Sequence, residues 1–178
     1  MSCNYIQLGY TRHRVRTKVA THLSGLYFNL GWYGKWGAGH NEYKDYILGF
    51  IFYKYLSDKE TQFAKKEGFT EADIKALSED DTETVEYIKT NIGYFIAHEN
   101  LFSTWIEKGK DFGVDDVRVA LSAFSRLIHP VHKKLFDGIF QTLDTGLSKL
   151  GDSASTQTSE ISKLLQLIKA IPMDGRCV

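Results

Sequence analysis

Apolar side chains fall into blocks with helical spacing along this chain. Between Glu42 and Lys66 they occupy Tyr43, Tyr46, Ile47, Leu48, Phe50, Ile51, Phe52, Tyr53, Tyr55 and Leu56. That set covers most of a helix circumference, which predicts a long helix over 42–66 buried on several sides, the central helix of a bundle. Asn41 reads as its N-cap, with Glu42 and Asp45 favouring the helix dipole in the first turn. Gly49 costs helix propensity but lets a neighbour approach closely.

Downstream blocks are shorter. TEADIKAL (70–77) reads as a capped short helix, with Asp73 three residues after Thr70. Acidic Glu79 to Glu83 reads as a solvated connection. Val85, Ile88 and Ile92 are helically spaced, and Gly93 breaks that helix. Tyr94-Phe95-Ile96 reads as a short extended piece, and Leu101, Phe102, Trp105 and Ile106 form a stripe ending near Gly109. Residues 115–128 give the clearest amphipathic helix, with Val117, Ala120, Leu121, Phe124, Leu127 and Ile128 on one face. Pro130 should stop it at His129. Phe136, Ile139, Phe140 and Leu143 continue an apolar pattern of no decided type. GDSASTQTS (151–159) reads as a polar linker. A last helix carries Ile161, Leu164, Leu165, Ile168 and Ile171, and Pro172 ends it. No strand pattern of useful length occurs. The expected fold is mainly α, a helical bundle with at most a short extended segment near 94–96.

Composition changes the picture at the N-terminus. The whole chain has no net charge, 22 Lys and Arg against 22 Asp and Glu. Residues 1–41, however, contain no acid, carry Arg12, Arg14, Arg16, Lys18 and Lys35, and hold six of the 15 glycines. Removing those five from the 22 basic residues leaves 17 against 22 acidic in the remainder. Residues 1–41 thus read as an atypical basic, Gly-rich leader, irregular in structure. Its densest run, RHRVRTK (12–18), has the charge of a DNA-contacting arm but is not favoured as one. Cys3 and Cys177 make neither a disulfide framework nor a zinc site, so a reducing cytoplasm is the expected compartment. No apolar run reaches the roughly 18 residues of a membrane span.

Candidate chemistry is sparse. His129 and His132 are three apart, a spacing two metal ligands can use, but Pro130 lies between them and no third ligand is evident. A surface loop is the favoured reading. His98-Glu99 can be an acid/base pair but reads better as a helix start. Tyr43, Tyr46, Tyr53 and Tyr55 can stack on bases, although their setting favours core packing. Two basic pairs, Lys108/Lys110 and Lys133/Lys134, are the candidate phosphate contacts, against a reading as solvated surface. No catalytic, cofactor-binding or metal-ligating residue is assigned.

The order of four blocks carries a resemblance. EYKDYILGFIFYKYLSDK (42–59) resembles the signature helix of type I restriction-modification DNA methyltransferase (modification) subunits. IGYFIAHENLFSTW (92–105), LFDGIFQTLDTGLSKLG (135–151) and SKLLQLIKAI (162–171) resemble that family's later blocks, in order. The resemblance implies a helical N-terminal domain, here 42–171, preceding an S-adenosylmethionine-binding catalytic domain in the intact subunit. It implies a specificity subunit, a second modification subunit and a motor-nuclease subunit as partners, and double-stranded DNA as the target of adenine-N6 methylation. The domain's own part would be subunit assembly and closure around DNA. A base-flipping methyltransferase of this kind needs an Asn-Pro-Pro-Phe-like motif. The two prolines here, Pro130 and Pro172, are far apart, so the chain alone is expected to be inactive and to bind no cofactor. Residues 1–41 depart from the family, and 172–178 read as a truncated tail where the catalytic domain would start. A disrupted or shifted reading frame at both ends is the expectation. The alternative function is a stand-alone helical interaction protein that modulates a modification complex.

Overall fold

The structure is a computed structural model that describes residues 40–136 and 140–171, and within them all side chains except those of 40–46, Leu135 and Thr142. The leader up to Gly39, with its basic run and Cys3, lies outside the described residues. So do Ile139, the tail 172–178 with Cys177, and the side chains of Tyr43 and Tyr46.

Helix α1 runs His40–Lys66, so Asn41 sits inside the helix and is not its N-cap. The expectation of burial on several sides holds. Ile47, Phe50, Ile51, Tyr53, Leu56 and Ala64 are buried, and so are Lys54, Ser57 and Glu60. Gly49 does what its size allows. A β-carbon there would lie 3.0 Å from Leu143 Cβ, so a later element packs directly against the α1 backbone.

Gly68, with φ near 90°, closes the end of α1. Thr70 then caps α2, Glu71–Lys75, in a reciprocal box with Asp73. The acidic connection is shorter than its composition suggests, because Asp81 caps α3, Thr82–Ile92, and Glu83 already lies in its first turn. Gly93 ends α3 in the left-handed region, φ 94°, where a β-carbon would also meet His132 Cδ2 at 3.0 Å. The Tyr94-Ile96 segment is extended but pairs only through an isolated antiparallel bridge from Tyr94 to Ile128. Among the described residues no longer strand occurs.

His98 and Glu99 open a 3-10 turn, His98–Asn100, ahead of α4, Phe102–Lys108, close to the expected helix start. Helix α5 spans Val114–Arg126 with Val117, Ala120, Leu121 and Phe124 buried. Its apolar face matches the expected one, although Leu127 and Ile128 lie just beyond its end. Pro130 sits at the start of a second 3-10 turn, Pro130–His132. The undecided apolar pattern around Phe136 to Leu143 resolves into two short helices, α6 (Lys133–Phe136) and α7 (Gln141–Leu147).

The linker reading of 151–159 is overturned. Helix α8 spans Ala154–Lys169, so most of that stretch is helical. Ser153 accepts from Thr156 N–H as its N-cap. Gln157 is buried, donating to Gly151 O at 2.8 Å and accepting from Arg118 at 3.1 Å. The polar residues that looked like a linker are a cap and an interhelical key. Helix α5 packs against α7 and α8, and Ile161, Leu164, Leu165 and Ile168 form the buried stripe of α8. Aromatic rings join α1 to this layer. Tyr53 lies parallel to Trp105 at 4.7 Å and edge-on to Phe140 at 5.7 Å, and Phe124 meets Phe140 edge-on at 5.2 Å.

Candidate functional site

The candidate phosphate contacts occupy two places. Lys108 ends α4 and Lys110 lies in the 3-10 turn just after it. Lys133 and Lys134 are the first two residues of α6. These pairs differ in freedom. Lys108 donates to Asp116 Oδ1 at 2.8 Å, with both side chains largely covered. Asp116 also accepts from Gly113 N–H at 2.7 Å. Burial alone would raise the Asp116 carboxyl, but the bonds from Lys108 and Gly113 outweigh it and hold the group below its ordinary range. Lys108 is therefore tied to the start of α5. Lys110, Lys133 and Lys134 are exposed and make no ion pair among the described residues, which leaves their charges available to a polyanion.

The histidine pair bounds the 3-10 turn that follows α5. His129 and His132 rings are 5.8 Å apart, and no group of three potential ligands occurs among the described residues. His129 Nδ1 accepts from Val131 N–H at 3.3 Å, and its own N–H donates to Gly93 O at 2.9 Å. His129 thus works as a turn residue, half-buried rather than on an open loop. The tyrosines favour packing as expected where they are described. Tyr53 is fully buried and Tyr55 half-buried. Exposed apolar side chains are scattered: Tyr87, Val119 and Val131.

Sequence reasoning passed over a buried polar row on α1. Tyr53, Ser57, Glu60 and Ala64 share the core face of that helix, at helical spacing. Each polar member captures backbone from segment 93–102. Tyr53 OH donates to Asn100 O at 2.9 Å, Ser57 Oγ accepts from Phe102 N–H at 2.9 Å, and Glu60 accepts from Ile96 N–H. Tyr94 answers in the other direction, donating to Leu56 O at 2.9 Å. Burial above all pushes both phenols well above their ordinary range, so both keep their protons. The row explains why IGYFIAHENLF is fixed without being a helix or a sheet. Three of its backbone groups are satisfied by side chains of α1, while the Phe95 and His98 N–H groups donate to Leu127 O and Leu77 O.

The sequence model of the HsdM N-terminal domain matches residues 36–168. The chain belongs to that family. The match takes in α1 through nearly all of α8, and all four blocks that carried the resemblance fall within it or at its edge. A solved structure of the type I restriction-modification system methyltransferase subunit from Streptococcus thermophilus has a similar fold, with a TM-score of 0.61 and 23% sequence identity. The likeness covers 74% of this chain and 30% of that one, so the chain spans less than a third of the subunit it resembles. No curated protein matches the chain. The HsdM N-terminal domain fold seen here is thus the helical bundle expected from the sequence. Among the described residues, no helix is long and apolar enough to cross a membrane.

Proposed function

We propose that this HsdM N-terminal domain acts in a cytoplasmic type I restriction-modification system as the helical N-terminal part of an adenine-N6 DNA methyltransferase subunit. Its task is subunit assembly and closure around double-stranded DNA. In the intact subunit S-adenosylmethionine binds in the catalytic domain, outside this bundle. The partners are the specificity subunit, a second modification subunit and, in the full complex, the motor-nuclease subunit. The observation that carries the reading is the family match over residues 36–168, which takes in α1 through nearly all of α8.

Within that reading, Lys110, Lys133 and Lys134 contact phosphates, and Lys108 contributes to the bundle more than to DNA. Phosphate contacts release counterions, so affinity falls with salt by a slope of about 0.9 per phosphate neutralised. The chain, combined with the specificity subunit and a duplex, should bind with a salt slope that drops by roughly 2 to 3 in the variant with Lys110, Lys133 and Lys134 all changed to Ala. An unchanged slope in mobility-shift titrations would remove these lysines from the interface, and failure of the chain to join the specificity subunit would remove the assembly role.

A further inference from the structure

Glu60 has no part in the proposed contacts with DNA or partner subunits, yet its setting is unusual for a carboxyl. The side chain has 0% exposure on the core face of α1. Its two oxygens share one donor, the Ile96 N–H, at 3.1 and 2.9 Å. An ionised carboxylate offers about four acceptor sites, and one that stays ionised in an interior holds about two or three donors or a cation. Neither is found among the described residues. Tyr53 and Tyr94, the titratable groups facing Glu60 from α1 and from segment 93–102, send their hydroxyl protons to Asn100 O and Leu56 O. Of the cations on α1, Lys54 pairs with Asp58, Lys59 lies over the Tyr55 ring and Lys65 pairs with Glu71. Burial raises the Glu60 carboxyl well above its ordinary range, and the Ile96 bond offsets this only in part.

We infer that the α1–Ile96 junction is a proton latch, in which Glu60 is neutral while segment 93–102 is seated and ionises when the segment lifts away. A neutral carboxyl still accepts from Ile96 N–H. When the segment lifts, the proton passes to solvent and water hydrates the carboxylate. The same segment anchors the chain just beyond α5, because Phe95 N–H donates to Leu127 O and His129 N–H to Gly93 O, at 3.1 and 2.9 Å. Release therefore frees residues 127–132 from α1 and loosens the base of Lys133 and Lys134. Proton counting sets the sign. The seated state, with its carboxyl raised, holds one more proton than the released state once pH exceeds the ordinary carboxyl value. Seating is strongest below that value and weakens as pH rises, until pH passes the seated carboxyl's own value.

Hydrogen exchange on the full chain tests this, since local opening is read amide by amide. After correction for intrinsic base catalysis, protection at Ile96 and Phe102 should fall about tenfold per pH unit above roughly pH 5. Protection at Leu164 and Leu165 of α8 should not change in step. Glu60→Gln keeps an acceptor for Ile96 but cannot ionise, so it should abolish the slope. A pH-independent protection at Ile96 in the unaltered chain overturns the latch, and so does a parallel fall in α8, which would mean opening of the whole domain. Should Glu60→Gln fail to fold, the carboxyl carbon-13 shift of Glu60 in the unaltered chain at neutral pH decides. A protonated shift supports the latch and a carboxylate shift ends it.

Discussion

At the junction of α1 with segment 93–102, a helix holds the backbone of a stretch with almost no regular structure of its own. At the junction of α5 with α8, two regular helices meet through apolar stripes, and polar contacts are confined to one end. Helices satisfy their own interior N–H and C=O groups, so α5 and α8 need only apolar surface between them. Their polar links, Arg118 to Gln157 at 3.1 Å and Val114 N–H to Thr158 at 3.0 Å, lie where water still reaches. Segment 93–102 closes few of its own hydrogen bonds, those of the 3-10 turn at 98–100. Burying it requires Tyr53, Ser57 and Glu60 at core positions of α1, reaching partners 36 to 47 residues away. An irregular segment in a core thus demands buried polar side chains elsewhere, and the α1 junction should be correspondingly less tolerant of change.

The largest expected effect lies just beside that junction, where α4 meets α1. Trp105 is fully buried and stacked on Tyr53. Trp105→Ala should destabilise the domain by about 3–5 kcal/mol, measured by urea denaturation with a probe other than tryptophan fluorescence. A loss below about 1 kcal/mol would mean that the stack is not part of the cooperative core, and the comparison would fail at its strongest point.

A matched pair sharpens the contrast. Ser57→Ala leaves the Phe102 N–H without its partner in a dry interior and should lose about 1–3 kcal/mol. Thr158→Val removes the same kind of acceptor, from Val114 N–H, at a half-buried site where water can substitute. It should lose less than about 1 kcal/mol. Equal losses would show that solvent access, not bond type, is the wrong distinction between the junctions.

These two junctions are unequally legible in the sequence. The α5 and α8 stripes emerge from spacing alone, because residue type and residue position agree there. On α1 they disagree. Ser57, Glu60 and Ala64 continue the helical spacing of Tyr53, so their positions belong to the core face, but LSDKETQ reads by composition as a solvated end. Tracing the period past the last large apolar residue would have found Ser57 and Glu60. Their partners would still have been hidden, since nothing local ties Glu60 to Ile96. The 151–159 stretch failed in the opposite sense. Ser, Thr and Gln there looked like a linker, while the structure uses them as a cap and as the Arg118 contact. Of the candidate lysines, the pattern gave their places but not the Lys108–Asp116 pair, which depends on how the turn at 109–113 brings α4 to the start of α5.

That pair sets the smallest expected effect, at the wet side of the α5 region. Lys108 is about a third exposed and Asp116 a quarter, so solvent and salt reach both, and Lys108→Ala should lose no more than about 1 kcal/mol. The pH dependence identifies the cause. Asp116 is held below its ordinary range in the folded chain, so its bonds stabilise the fold above the unfolded-state value. That contribution disappears as pH falls through the folded value. The difference between the unaltered chain and Lys108→Ala should therefore be largest near neutral pH and low salt, and should close in acid or at high ionic strength. The same variant separates structure from DNA contact. With Lys108 occupied by Asp116, its removal should leave the salt slope of DNA binding unchanged, whereas removing the exposed Lys110, Lys133 and Lys134 should lower it. A fall of about one unit in that slope for Lys108→Ala alone would mean that DNA takes Lys108 from Asp116, and that the start of α5 is part of the binding surface.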